Sequence, residues 1–463
     1  MVRRGGASAR RESQLTSTPR VTVVGGGLAG SEATWQLARR GVGVDLYEMR
    51  PVLKTPVHQT SDFAELVCSN SLRGNDLDQA AGILKEEMRR LDSLIIKVAD
   101  EVRVPAGSAL AVDRGVFARR ITEEITRLPG VAIHREECRS IPNAPLAIVA
   151  TGPLTSDALA QDIARFVGET HLHFYDAVSP VIEADSIDMN KVFRASRYQK
   201  GTDDYLNCPM DEAEYRAFFE ALTGAECSQV KDFEKEFFFE GCLPIEVIAS
   251  RGPETMRFGP MKPVGLLNPA TGRRPFAVVQ LRQDNLAASH FSMVGFQTHL
   301  KWPEQKRIFS MIPGLENAEF VRFGMIHRNT FINSPRALEP TFEARVRPGL
   351  FFAGQMSGVE GYVESAASGL LAGIAAAARA RGEEPVSFPA ETAMGALGRY
   401  ISLSDPKHYQ PTNIAFGLFP DLAEPIRDKR RRRRALSERA LRSLAAFIDR
   451  DFKAAEATPP VVA

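Results

Sequence analysis

The sequence predicts an α/β protein, a Rossmann-like nucleotide-binding domain interrupted by a smaller α+β insertion domain. Three observations predict it. A glycine-rich strand, turn and helix open the chain at residues 21–30. A change of character begins near residue 174, and a second glycine-rich segment returns at residues 349–380.

Val21 to Val24, four apolar or β-branched residues, predict a short buried strand. Gly25, Gly27 and Gly30 follow as G-x-G-x-x-G, with Gly26, Leu28 and Ala29 between them. Gly25 permits a sharp turn, Gly27 lets backbone approach a pyrophosphate, and Gly30 lets the next helix pack close to the strand. Such a turn alone is common, so its context decides. Ser31 to Arg40 reads as a helix, Val44 to Tyr47 as a second strand, and Glu48 stands at the strand's end. There an acid holds a ribose hydroxyl pair, while the helix N-terminus offers free N–H groups to phosphates.

A polar loop with His58 leads to the string LVCSNSLRG, Leu66 to Gly74. Ala80, Ile83, Leu84, Met88, Leu91 and Leu94 recur at helical spacing and predict one helix from Gln79 to about Ile96. An extended piece at Ala109 to Val112, a helix near Val116 to Arg127 and a strand over Leu146 to Gly152 ending in an A-T-G turn follow. Residues 174 to 331 contain short strand-like pieces, many prolines, an aromatic cluster at 237–239 and no phosphate loop, which predicts an inserted domain. The nucleotide pattern then resumes with a strand (Leu350 to Ala353), a Gly354-Gln355 turn, Gly358, Gly361 and a helix rich in small residues. Ala366, Ala367, Gly369, Ala372 and Gly373 let that helix approach other backbone closely.

The early fingerprint and the late segment together select FAD over NAD, because an NAD domain completes its site without returning from a long insertion. The expected class is therefore an FAD-binding Rossmann-like domain of the two-dinucleotide type. Its expected FAD contacts are Gly25, Gly26, Gly27, Leu28, Ala29, Gly30, Glu48, Gly354, Gln355 and Gly361. The expected division is a disordered basic arm (1–19), the FAD domain (20–173), the insertion (174–331), the second part of the FAD domain with a basic C-terminal helix (332–452) and a tail (453–463).

A chain of 463 residues suits two or three domains, and no apolar run reaches the length of a membrane span. A soluble protein is expected. The net charge of +1 conceals Arg427 to Arg434 (RDKRRRRR), which contributes +6. That run is either a solvated helix face or an electrostatic footprint for phosphates. The five cysteines form no C-x-x-C pair, so neither a metal site nor a disulfide framework is expected, and the compartment expected is reducing and cytoplasmic. The arginine-rich first twenty residues lack the apolar core of a secretory signal.

The blocks GGGLAGSEATWQLARRGVGVDLYEMRP, ELVCSNSLRG, FEGCLPIE, VGFQTHLKW, GMIHRNTF and GQMSGVEGYVESAASGLLAG together resemble the folate- and FAD-dependent tRNA (uracil-5-)-methyltransferase family. They run from residue 21 to about 420. The resemblance implies methylation of carbon 5 of the T-loop uridine of tRNA. Methylenetetrahydrofolate would be the one-carbon donor, FADH2 the hydride source, and NADH or NADPH the co-substrate that regenerates it. A relative in fold would be the larger flavin-dependent enzyme that modifies wobble uridine, which carries a further helical domain.

By default an intracellular cysteine is a small buried hydrophobe, the expectation for Cys138, Cys208 and Cys227. Cys68, flanked by Ser69, Asn70 and Ser71 with Arg73 nearby, has a polar and cationic setting, and Cys242 lies between Gly241 and Pro244. The resemblance makes these two the reactive pair. Cys242 is favoured as the uracil nucleophile and Cys68 as its partner in proton removal, with the exchanged roles open. His299, His327 and Arg328 are candidate folate or tRNA contacts, and Arg430 and Arg432 candidate tRNA contacts. A flavoprotein that binds RNA without methylating it is the competing class; a small-molecule flavin oxidoreductase is disfavoured by the arginine run.

Overall fold

The computed structural model describes residues 19–55, 57–168, 172–199, 202–228 and 243–452. Cys242, the aromatic cluster at 237–239, residues 1–18 of the basic arm and the tail after residue 452 lie outside the described residues.

At its centre is a five-stranded sheet in the spatial order Leu350–Phe352, Ala147–Val149, Arg20–Val24, Gly43–Tyr47, Val131–His134. Every neighbouring pair is parallel. Parallel strands are covered on both faces, which is why these segments are almost continuously apolar. Register brings Val24 opposite both Tyr47 and Val149, so Gly25, Glu48 and Ala150 emerge at the same sheet edge. Helices Leu28–Arg39 and Tyr362–Ala380 pack on each other beside this sheet. Small residues make the contact possible: a Cβ on Gly369 would stand 2.1 Å from the Ala29 carbonyl oxygen, and one on Gly373 would stand 3.0 Å from Ala33 Cα.

A second, six-stranded sheet runs Phe193–Arg194, Tyr205–Met210, Ala277–Gln283, His290–Met293, Val181–Glu183, Phe320–Arg322, with antiparallel pairing throughout. Helices Glu212–Thr223, Ile245–Ser250 and Trp302–Phe309 contribute buried residues to its core. The buried apolar residues form two main clusters accordingly. One draws on residues 21 to 163 and 332 to 447, the other on residues 182 to 318. Between these two stretches of chain, Leu172–Ala177 pairs antiparallel with Ile326–Phe331.

The single helix expected over 79–96 is two, Ala80–Arg90 and Leu94–Glu101. Asp92 adopts a φ of +54°, and the Ser93 side chain caps the second helix by accepting from the Ile96 N–H. Buried Glu32 reinforces the break, accepting from Ser93 Oγ at 2.7 Å and the Ile95 N–H at 3.0 Å. Helical periodicity continues across the break, so the pattern alone hides it.

The arginine run opens the helix Lys429–Phe447, capped by Asp428, which accepts from the Arg431 N–H at 2.7 Å. Leu436, Ala440, Leu444 and Phe447 bury its later turns against the first core, while the arginines form the turns ahead of them. Among the described residues no helix is long and apolar enough to cross a membrane.

Candidate functional site

The glycines of the fingerprint divide by role. A Cβ on Gly25 (φ +102°) would lie 2.5 Å from the Ala150 carbonyl oxygen, and one on Gly30 would lie 1.8 Å from that of Gly25. Those two glycines are required by packing. Gly27 is different: its Cβ would meet no protein atom within 4 Å. It faces a cleft also lined by Gly25, Glu48, Thr151, Thr155 and Cys138. Open space before a helix N-terminus, bordered by a buried acid, fits the pyrophosphate and ribose of a dinucleotide.

Glu48 Oε2 accepts from the Gly26 N–H at 2.9 Å, and Oε1 accepts from the Arg50 N–H at 3.0 Å and Nε at 2.9 Å. Burial would push this carboxyl up, but hydrogen bonding and charge from Arg50 outweigh it and hold Glu48 below the usual carboxylate range. It is therefore ionised at neutral pH, a pure acceptor suited to hydroxyl donors, and the same bonds fix the glycine turn in place.

The late segment meets the early one here. Gly354 has a φ of +77°, and its added Cβ would be 3.2 Å from Ala29 Cβ. Its N–H donates to Ser368 Oγ at 2.7 Å, and Gln355 Nε2 donates to Glu360. Gly361, with a φ of +102°, precedes Tyr362, the first residue of the long helix. Of the late positions, Gly354 is thus brought against the early segment at Ala29, while Gln355 and Gly361 contact residues of the late segment itself.

Tyr362 also reaches Cys68. Its hydroxyl oxygen accepts from the Cys68 and Ser69 N–H groups at 2.6 and 3.2 Å. Cys68 Sγ lies 3.8 Å from the Ala177 carbonyl, where the chain crosses between the two cores. Two arginines from the second sheet close on the same loop. Arg322 donates to the Val67 and Cys68 carbonyls at 2.8 and 3.3 Å, and Arg282 to Asn70 Oδ1 and Ser69 Oγ at 2.8 and 2.7 Å. Arg114, at the start of the helix Arg114–Arg127, donates to Asp284 Oδ1 at 2.6 Å. Burial lowers the Arg282 guanidinium and brings Arg322 down to about 10, with the negative forms of Asp284 and Cys68 among the groups opposing the shift. Arg322 therefore remains a cation at neutral pH, and a desolvated cation beside a sulfur favours thiolate.

Arg73, which the sequence offered as the cation beside Cys68, is turned away. It pairs instead with buried Glu364 at 2.7 Å, tying the strand Ser71–Gly74 to the first turn of the long helix. Buried Lys85 holds that strand as well, donating to the Leu72 and Gly74 carbonyls at 2.9 and 2.8 Å. Sequence reading missed Arg114, Arg282, Arg322, Asp284 and Tyr362. For Arg282 a signal existed: a lone charge inside the apolar strand AVVQLRQ, all seven residues of which are buried.

The remaining candidates are dispersed. His299 is buried beside Glu246 and Cys227. His327 and Arg328 lie opposite Asp176 and Tyr175 in the crossover strand pair. Arg430 and Arg432 are exposed on the basic helix; Arg432 pairs with Asp421 at 2.8 Å, and Arg430 lines a groove with Arg434, Asp76 and Ser108.

The family model described as "Glucose inhibited division protein A" matches residues 20–384. A methylenetetrahydrofolate–tRNA-(uracil-5-)-methyltransferase TrmFO of Enterococcus faecalis is 62% identical over 424 residues, 92% of this chain and 97% of that protein. The protein of the same name from Pelotomaculum thermopropionicum is 62% identical over 427 residues, 92% of this chain and 98% of its own. Among solved structures, GidA of Aquifex aeolicus superposes with a TM-score of 0.65 at 17% identity, covering 96% of this chain and 78% of that one. That likeness is one of fold.

Proposed function

The chain belongs to the methylenetetrahydrofolate–tRNA-(uracil-5-)-methyltransferase family, and from that membership we propose its function: methylation of carbon 5 of a tRNA uridine, the T-loop uridine, with methylenetetrahydrofolate as one-carbon donor. The observation that supports it best is identity of 62% across nine-tenths of the chain. The cleft at Gly27 and Glu48 is where we place FAD. When bound, FAD renewed by NADH or NADPH supplies the hydride that completes the methyl group.

The protein's own residues have three tasks. Uracil C5 is a poor nucleophile, so Cys242 adds as thiolate to C6 and makes C5 enolate-like, able to attack the methylene carried by the folate. Cys68 then takes the C5 proton, its sulfur prepared by Arg282 and Arg322 and its backbone held by Tyr362; loss of that proton expels the folate nitrogen from the methylene, and Cys242 leaves C6 once the methyl group is complete. The basic helix receives tRNA phosphates through Arg430 and Arg432. Its cations crowd the helix N-terminal turns, the positive end of the helix dipole, where they cost stability until an anion arrives.

Incubation with tRNA transcript, methylenetetrahydrofolate and NAD(P)H, followed by nucleoside analysis, tests this reading. Ribothymidine is expected from wild type and none from Cys242→Ala, which keeps its FAD. A fluorinated uracil at the target position is expected to trap a covalent complex with wild type alone. No ribothymidine from wild type would leave the RNA-binding flavoprotein. A near-normal rate from Cys242→Ala, with loss of activity and trapping in Cys68→Ala, would exchange the two roles.

A further inference from the structure

Apart from the proposed methylation chemistry, the second core contains a cluster of Cys227, Glu246 and His299, one donor atom from each lying within 4.8 Å of the others. Main-chain pairing builds it. Cys227 stands opposite Leu300 in an antiparallel bridge, the Ser228 N–H donates to the His299 carbonyl at 2.8 Å, and the Lys301 N–H donates to that of Glu226 at 3.0 Å. Glu246, in the first turn of the helix Ile245–Ser250, comes in from the other side. Glu246 and His299 are buried, while Cys227 is half-buried and so within reach of a small reagent.

The donor set is one that zinc accepts, but the distances decide against it. His299 Nδ1 lies 2.5 Å from Glu246 Oε1. Two ligands of one tetrahedral zinc stand roughly 3.3 Å apart or more, given bonds of about 2.0–2.3 Å. The carboxylate is also already committed: Oε1 accepts from the His299 N–H at 2.7 Å and Oε2 from Thr298 Oγ1 at 2.9 Å. At 2.5 Å the protonated imidazole and the carboxylate stand as an ion pair. The imidazole thus has an acid at Nδ1 and a thiol sulfur within 4.8 Å of the same donor atoms, a candidate cation beside a nucleophile. Burial works against a charged imidazole here, yet the contacts with Cys227 and Glu246 outweigh it and raise His299 to about 10.

We propose that Cys227 is a second nucleophilic thiol of this protein, activated by His299 and Glu246, and that it reacts with low-molecular-weight disulfides. Its sulfur, held as a thiolate beside the His299 imidazolium with the thiol proton released to water, attacks one sulfur of the disulfide. A new S–S bond forms as the old one breaks, the departing thiolate takes up a proton, and excess thiol reverses the exchange. The other described cysteines lack this arrangement. Cys138 is also half-buried, but burial pushes its thiol up and its sulfur donates to the Ser140 carbonyl at 3.2 Å. Cys208 is fully buried.

The test is treatment of the full-length, FAD-loaded protein with oxidised glutathione at pH 7, followed by peptide mass mapping over time. Cys227 is expected to gain the glutathione mass at least tenfold faster than Cys138. His299→Gln and Glu246→Gln, checked for fold by circular dichroism and flavin content, are expected to slow it tenfold or more, and Cys227→Ser to abolish that adduct. Labelling of Cys227 no faster than Cys138 overturns the proposal, and so does labelling of folded His299→Gln and Glu246→Gln at the wild-type rate. Should both variants fail to fold, the wild-type comparison with Cys138 still decides. The readout is a mass on one peptide, so it is independent of whether ribothymidine forms.

Discussion

Gly27 and Gly369 separate a glycine kept for a ligand from a glycine kept for packing. Gly27 has φ −73° and ψ −168°, a conformation open to alanine, and its Cβ would meet no protein atom within 4 Å. Gly27→Ala should therefore leave apoprotein stability unchanged or raise it by about 0.4–1 kcal/mol through the unfolded chain. The new methyl nevertheless enters the space assigned to the pyrophosphate, and FAD affinity should fall at least tenfold, about 1.4 kcal/mol. Gly369→Ala inverts the pattern. Its Cβ would lie 2.1 Å from the Ala29 carbonyl oxygen, and relief to an ordinary contact needs the two helices to part by roughly 1 Å, an overpacking that costs about 1–3 kcal/mol. Melting of the apoprotein should drop by roughly 2–6 °C. Apoprotein melting curves and titration of flavin fluorescence read the two effects independently. Unaltered FAD affinity in Gly27→Ala, or a wild-type melting temperature in Gly369→Ala, would refute this division of roles.

Neutralising Arg430, Arg431, Arg433 and Arg434 together should weaken tRNA binding and flatten the dependence of log K on log salt by about 0.9 per lost duplex phosphate contact, with flavin content untouched; filter binding across a salt series measures both. Tyr362→Phe leaves the Cys68 and Ser69 N–H groups without their acceptor, which should cost about 1–3 kcal/mol by chemical denaturation and slow methylation through kcat more than KM. His299, at about 10 when folded and near 6.5 when unfolded, stabilises the fold fully below pH 6.5 and loses that contribution as pH rises through 10. Wild type should thus lose up to a few kcal/mol over that interval, and urea titrations of His299→Gln should show a flatter profile.

What was legible in the sequence was what short-range pattern dictates. The strand Arg20–Val24, its turn and helix, the second strand ending at Glu48, and the late strand and small-residue helix all lie within a residue or three of where periodicity and glycine spacing placed them. Residues far apart in sequence were not legible. Arg282 and Arg322 lie more than two hundred residues beyond Cys68, and no local pattern says that their strands deliver them to its loop. Arg73, close in sequence, was the natural guess, but its φ of +65° accompanies a side chain directed to Glu364 instead. The broken helix at Asp92 failed for the opposite reason: a local cap overrode a regular pattern.

The central sheet has a consequence for the order of events during synthesis. Ala147–Val149 emerges with Arg20–Val24 as its neighbour on one side, but its other neighbour, Leu350–Phe352, is about two hundred residues further along the chain. At about 5–20 residues per second that edge waits on the order of 10–40 s, and the helix that packs on Ala29 follows only after it. During that interval an apolar strand edge is open to other nascent chains. Gly354, whose added Cβ would be 3.2 Å from Ala29 Cβ, also reaches the early segment only after that interval. The second sheet meanwhile has time to form, and slowing translation over residues 150–350 should lower the yield of folded chain by prolonging the exposure of that edge.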